Sequence, residues 1–213
     1  MAKTINNPID RYIADLFAPE DEVLQWIQAE ADRQDIPPIS IRADEGRLLQ
    51  ILMWAVGART AVEIGVLAGY SGVWMARALP ADGRLYALEL NSRHARIAQA
   101  SFARAGVADR VELIEGHALE SLRRLEARGP FDFIFIDADK GSYVDYLDWS
   151  AANLRPGGIV AAHNAIWGGN VLAPNNDHDR AVDAFNRALA ADSRLESTII
   201  TAGDGLAVGI RKP

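Results

Sequence analysis

The sequence predicts an α/β fold: a doubly wound sheet of seven strands, mostly parallel, with an antiparallel C-terminal hairpin and helices added at the N-terminus. Three observations carry this. Short apolar runs alternate with helical stretches from residue 60 onward, the pattern of strands buried under helices on both faces. The last two runs flank Gly203-Asp204-Gly205, a turn sequence between strands. The first 57 residues carry only helical periodicity.

Taken in order, Ile9, Ile13, Leu16 and Phe17 share one helical face, and Val23, Leu24, Ile27 and Ala31 share another. Pro37-Pro38 ends the second helix. Leu48, Leu49, Ile51, Leu52 and Val56 mark a third over about 44–56. Strands come next at 60–64, 84–88, 111–114, 131–136 and 159–162, with helices at about 71–79, 92–105, 118–127 and 143–153 between them. A helix over about 179–191 precedes the closing runs 197–201 and 206–211. No repeat, low-complexity tract or linker breaks the pattern. One domain over residues 1–213 is therefore expected, a helical elaboration to residue 57 and a core from 58.

A chain of 213 residues can bury roughly 70% of its unfolded surface without a covalent staple. It has no cysteine, which removes disulfides, thiolate nucleophiles and zinc–sulfur sites. Residues 1–8 lack the apolar core of a signal peptide, and no apolar run approaches the roughly 20 residues that span a bilayer. A cytoplasmic location is expected, with no membrane partner. The net charge of −7 argues against a large nucleic-acid surface. Arg123, Arg124 and Arg128 read as the solvated face of one helix.

In open α/β sheets a ligand sits beyond the carboxyl ends of the strands, so the residues immediately after each strand matter most. After Glu63 the first strand runs into Gly65-Val66-Leu67-Ala68-Gly69-Tyr70-Ser71, spaced unlike the Gly-x-Gly-x-x-Gly of dinucleotide enzymes. It suits a cofactor loop or a plain strand-to-helix turn. The second strand ends in Glu89, which can accept hydrogen bonds from ribose hydroxyls. The third ends in Glu115-Gly116-His117-Ala118, where a small residue leaves room for adenine and His117 either touches the ring or begins the helix.

The fourth strand is the most informative, since it runs into Asp137-Ala138-Asp139-Lys140. Buried charges are costly unless paired or coordinating. A metal ligand, a cofactor contact, a base or a mutual salt bridge would each account for them. After the fifth strand, His163 and Asn164 could complete an oxygen-and-nitrogen metal site with Asp137, or simply line a polar pocket. Trp167 is placed to stack on an aromatic acceptor or to serve as a packing residue. Residues 172–179 read as a loop at the site mouth, with His178 exposed.

These motifs together resemble the cation-dependent small-molecule O-methyltransferases, the group holding caffeoyl-CoA and catechol O-methyltransferases. The resemblance runs from Ile39-Ser40-Ile41-Arg42-Ala43-Asp44-Glu45-Gly46 through Glu63 to Ser71, Ala87-Leu88-Glu89-Leu90-Asn91 and Asp137-Ala138-Asp139-Lys140-Gly141-Ser142-Tyr143 to Leu154-Arg155-Pro156-Gly157-Gly158, Asn164 to Gly169 and the Gly203-Asp204-Gly205 turn. It implies a Rossmann-like core using S-adenosylmethionine. Ser40, Ile41, Glu63 and Ser71 would hold the methionine end, with Gly65 and Leu67 lining the same pocket. Glu89 and Leu90 would lie at the ribose, and His117 and Ala118 at the adenine. Asp137, Ala138, Asp139 and Tyr146 would also contact the cofactor.

By the same resemblance Asp137 and Asn164 would ligate a divalent metal, and Lys140 would be the general base. Lys140 and Trp167 would face a small hydroxylated aromatic substrate, and the enzyme would be a homodimer. His163 departs from the pattern, since relatives carry Asp there. As a ligand it would disfavour magnesium and calcium and favour ions that accept nitrogen. Without a metal, Lys140 or His163 would act as base. Methylation of hydroxylated uridine in transfer RNA, a nicotinamide-dependent oxidoreductase and a cofactor-binding module without turnover are the competing readings.

Overall fold

The computed structural model describes residues 8–213. Residues 1–7, which carry most of the reading against a leader sequence, lie outside the described residues. Three helices come first: α1 (Pro8–Phe17), α2 (Glu22–Arg33) and α3 (Ala43–Ala55). Then strand and helix alternate as β1 (Thr60–Ile64), α4 (Tyr70–Ala78), β2 (Arg84–Glu89), α5 (Ser92–Arg104), β3 (Val111–Glu115) and α6 (Ala118–Leu125). The series continues with β4 (Phe131–Ile136), α7 (Tyr143–Asn153), β5 (Leu154–Ala162), α8 (Asp177–Ala191), β6 (Leu195–Ile200) and β7 (Leu206–Arg211).

The seven strands form one sheet in the order β3-β2-β1-β4-β5-β7-β6. β1 to β5 are mutually parallel, and β7 runs antiparallel to both β5 and β6. β1 and β4 lie at the centre, and Val62, Ile64, Phe133 and Ile134 are fully buried. Helices cover both faces, which is why these strands read as continuous apolar runs. Successive side chains of β4 divide between the faces. Phe133 and Phe135 pack with Leu49, Val73 and Phe102, and Ile134 and Ile136 pack with Leu122, Leu147 and Phe185.

β5 starts at Leu154, five residues before the expected 159, because Leu154 pairs with Phe131 before a register shift brings Ile159 opposite Phe133. Arg155-Pro156-Gly157-Gly158, left between the expected helix and strand, lies within that strand. α8 starts two residues early, at Asp177, where the Asn176 side chain accepts the Asp179 N–H at 2.9 Å. Part of the expected 172–179 loop is thereby helical. Arg123, Arg124 and Arg128 are exposed, as their pattern suggested. No helix among the described residues is long and apolar enough to cross a membrane.

The N-terminal helices are fastened to the core by polar contacts as well as apolar ones. Arg42 pairs with Asp10 of α1 at 2.8 Å and with Asp44, and Arg77 of α4 pairs with Asp21 at 2.7 Å. α3 packs on α4 through Gly46, where an added methyl would stand 2.4 Å from the Trp74 ring. Gly46→Ala would gain up to ~1 kcal/mol of helix propensity. Overpacking against a buried indole costs about 1–3 kcal/mol and should dominate. Urea unfolding of Gly46→Ala is expected to show a net loss; unchanged or higher stability would mean that α3 and α4 are not seated on each other this closely.

Candidate active site

A cleft of about 1130 Å³ opens beyond the carboxyl ends of the parallel strands. Its floor is the β1–α4 turn. Gly65 has φ +93° and a Cβ there would stand 2.2 Å from the Asp137 carbonyl oxygen, so glycine is needed to bring the end of β1 against the end of β4. Leu67 also has positive φ, 53°. Glu89 holds this turn in shape: its Oε2 accepts the Val66 and Leu67 N–H groups at 3.1 and 2.8 Å, and its Oε1 accepts Asn91 N–H at 2.9 Å.

Ser40 and Ile41, just before α3, form one wall, and Leu90, His117 and Ala118 form the opposite one. Asp137, Ala138, Asp139 and Tyr146 line the cleft beyond β4. Asp139 accepts the Tyr146 hydroxyl at 2.7 Å and the Ser142 N–H at 3.1 Å. Ser71 faces the cleft, but Glu63 does not: it is fully buried beneath Ser71, whose hydroxyl donates to its Oε1. Glu63 Oε2 has no hydrogen-bond partner. Burial pushes its carboxyl up to about 8 against the Ser71 bond, helped by the charges of Asp137 and Glu89.

Lys140, Asn164 and Trp167 also line the cleft. Lys140 is buried, with Nζ 3.3 Å from Asp137 Oδ1, hydrogen-bonded to the Tyr143 hydroxyl and 5.6 Å from the centre of the Trp167 ring. His163 is the expected site residue that does not reach the wall. Its imidazole, 1% exposed, lies behind Asp137 with Nδ1 3.3 Å from Asp137 Oδ2 and Nε2 2.9 Å from Glu45 Oε1. A general base must reach its proton within about 3 Å or through one water. The expectation of His163 as a direct base is therefore corrected, because carboxylates stand at both its nitrogens.

Charge dominates here. Burial alone would raise the Asp137 carboxyl, but His163 and Lys140 hold it below the usual range. Burial works against the His163 imidazolium, yet Asp137 and then Glu45 push it up to about 9. Among the described residues, no group of three or more His, Cys, Asp or Glu side chains is gathered for a metal. Asp137, His163 and Asn164 offer one carboxylate, one imidazole and one amide.

Three acidic residues that build the site were not singled out by sequence. Glu45 holds His163 across 118 residues. Asp204, inside the expected hairpin turn, accepts Asn164 Nδ2 at 3.1 Å and Gly168 N–H at 2.7 Å. Asp179 accepts Trp167 Nε1–H at 2.9 Å. Their nearest signal was glycine at 203 and 205, which reads equally well as an ordinary turn. His178 lies on the cleft rim and is exposed, as expected.

This arrangement coincides with a match to the O-methyltransferase family model over residues 14–212. The chain belongs to the O-methyltransferase family. It is 39% identical to a catechol O-methyltransferase of Niastella koreensis, with both chains covered fully. It is 40% identical to a catechol O-methyltransferase of Mycobacterium tuberculosis over 80% of this chain and 77% of that one. A crystal structure of an O-methyltransferase from Bacillus cereus in complex with SAH superimposes with a TM-score of 0.90 at 35% identity, covering 96% and 97% of the two chains. The chain is thus an O-methyltransferase, and the oxidoreductase reading is set aside.

Glu63 makes this O-methyltransferase pH-sensitive in a specific direction. Its folded pKa of about 8 lies above the ordinary 4.5. Between those values the folded chain keeps a proton that the unfolded chain releases, so stability falls as pH rises. The slope is about 1.4 kcal/mol per pH unit, and the contribution is full below 4.5 and lost as pH passes 8. Glu63→Gln should lack this slope and gain on the wild type from about pH 5 to 8 in urea titrations of cofactor-free protein. A pH-independent difference would mean that Glu63 is ionised in the fold.

Proposed function

We propose that this O-methyltransferase moves the methyl group of S-adenosylmethionine to a hydroxyl of a small catechol-type aromatic. The observation that carries the reading is Lys140: a buried amine at the cleft wall, fixed by Asp137 and Tyr143 and facing the Trp167 ring. The names of the catechol O-methyltransferase relatives and the SAH in the Bacillus cereus structure support the acceptor and the cofactor.

Glu89 would take the ribose hydroxyls with Leu90 beside it, and His117 and Ala118 would take the adenine. Ser40, Ile41 and Ser71 would hold the methionine end, Glu63 acting through Ser71, with Gly65 and Leu67 beneath. Asp137, Ala138, Asp139 and Tyr146 would complete the cofactor wall. Methyl transfer is an in-line displacement: the new O–CH₃ bond forms as the S–CH₃ bond breaks. Holding oxygen, carbon and sulfur in line supplies several kcal/mol of the barrier. Lys140, its Nζ steadied by Asp137 and Tyr143, would take the phenol proton after giving up its own to solvent.

The residues fit a divalent cation of a particular kind. His163 Nδ1 is buried with no hydrogen bond and faces Asp137, while Nε2 is held by Glu45, the carboxylate–imidazole arrangement typical of metal-binding histidines. Asn164 gives its amide N–H to Asp204, which leaves its oxygen available. Asp137, His163 and Asn164 would hold an ion that accepts nitrogen, such as manganese, iron, cobalt, nickel or zinc. Such an ion would acidify the acceptor hydroxyl and fix it near the methyl group. A metal-independent reading is favoured by charge: the His163 imidazole, pushed toward its charged form, already lies between Glu45 and Asp137. Lys140 alone would then serve as base.

Chelator-stripped protein with methyl-labelled cofactor and a catechol panel separates these. Transfer restored only by manganese, cobalt, nickel or zinc supports the metal reading, and equal transfer without metal supports the other. No transfer under any condition would overturn the acceptor assignment. Lys140→Ala is expected to lower kcat by roughly 10²-fold or more with cofactor affinity intact. Glu89→Ala should raise the cofactor Kd by about tenfold or more, as loss of a charged hydrogen-bond acceptor does. The reverse pattern would exchange the two roles. The reading also places the enzyme in the cytoplasm as a homodimer, with a second copy covering Tyr12, Leu16 and Phe17 of α1 and Trp54 of α3, all exposed here.

A further inference from the structure

Asp179 stands in the first turn of α8 and is completely buried. Four donors converge on it. Trp167 Nε1 and Asn170 Nδ2 reach Oδ1 at 2.9 and 3.3 Å, and Asn175 N–H and Asn176 Nδ2 reach Oδ2 at 3.1 and 2.9 Å. Burial would raise this carboxyl, but the donors, Asn175 first, hold it below the usual range. A buried carboxylate so satisfied is a rigid anchor, and a costly one to leave with any bond unmade.

What it anchors is the acceptor side of the cleft. Trp167 has φ 51°, and Gly168 and Gly169 come next at 62° and 91°. Gly169 N–H donates to the Ile166 carbonyl at 2.9 Å, but nothing in the backbone fixes the ring, and a bulky residue at positive φ is strained. Asp204 pins the backbone at Gly168, and Asp179 pins the indole ring itself. The held ring lies 5.6 Å from Lys140 Nζ, measured to its centre, and both line the cleft.

We propose that Asp179 is a positioning residue that determines acceptor specificity: it locks the Trp167 indole as a fixed wall, so that a flat single-ring acceptor lies against it with a hydroxyl at Lys140. The proposal rests on the reading that Trp167 and Lys140 face an aromatic acceptor. Asp179 touches neither substrate nor cofactor and acts only through the tryptophan.

The test is a double-mutant cycle with a spectroscopic control. Asp179→Asn should raise the catechol KM about tenfold, the scale of a charged hydrogen bond, with kcat and cofactor Kd changed less than about twofold. Trp167→Phe removes the indole donor and keeps a flat ring. In that background Asp179→Asn should change KM by less than about twofold. A tenfold rise that persists there, or no rise in the native background, overturns the proposal. The control is hydrogen exchange of the Trp167 indole N–H in ¹⁵N-labelled protein. It should be protected in the wild type and exchange at least about tenfold faster in Asp179→Asn. The Trp54 indole, bonded to the Ala78 carbonyl at 3.0 Å, should stay unchanged and report that the variant is folded. If the wild type methylates no catechol, the acceptor reading fails while protection of Trp167 still supports the anchoring. Equal exchange in both proteins overturns the anchoring whatever the acceptor.

Discussion

The site depends on a chain of four side chains where β4 and β5 end: buried Glu45, His163 and Lys140, and half-buried Asp137 between them. An isolated ionised carboxylate at that depth would cost several kcal/mol and would take up a proton instead. Asp137 stays ionised because Lys140 and His163 stand 3.3 Å away on its two oxygens. His163 in turn is held by Glu45, which belongs to α3 and not to the sheet. Gly203 is part of the same constraint, since a Cβ there would stand 1.9 Å from Glu45 Oε1. Four separate stretches of chain therefore meet at one line of alternating charge. Docking of the N-terminal helices and construction of the site are one event.

The fold was legible because both faces of the sheet are covered. Strands buried on two sides must be apolar throughout, and β1, β2 and β4 stand out for that reason. Where tertiary pairing overrides local signal, the sequence misleads. The expected strand starts only at 159, but pairing of Leu154 with Phe131 draws Arg155-Pro156-Gly157-Gly158 into β5 as well. The site divides along the same line. Asp137, Asp139 and Lys140 are legible because charge directly after a buried strand needs an explanation. Glu45, Asp179 and Asp204 are not, because each is an ordinary helix or turn residue until its partner 118, 12 or 40 residues away is in place.

The glycine loop after β1 lines the cleft, for a reason that the sequence only half supplies. Its sequence suggests backbone cleared for a ligand. Gly65 in fact clears the Asp137 carbonyl, and the loop is shaped by Glu89, which accepts three N–H groups. The same carboxylate both forms the turn and faces the cleft. Such a residue should tolerate little change, since removing it leaves three backbone donors unsatisfied.

The half assigned to the cofactor combines a turn held through its backbone, Glu89 with Val66 and Leu67, with side-chain pairs such as Ser71 with Glu63 and Tyr146 with Asp139. In the half assigned to the acceptor each named side chain is held by an acidic one: His163 by Glu45, Asn164 by Asp204, Trp167 by Asp179. Backbone geometry changes only with the fold, whereas a side-chain partner can be exchanged one residue at a time. The imidazole at 163 is held in this way. It adds positive charge and a nitrogen donor behind Asp137, yet Gly65, Glu89 and Ser71 keep their contacts because none of them depends on it. A change at these side-chain partners therefore leaves Gly65 against the Asp137 carbonyl and Glu89 on its turn.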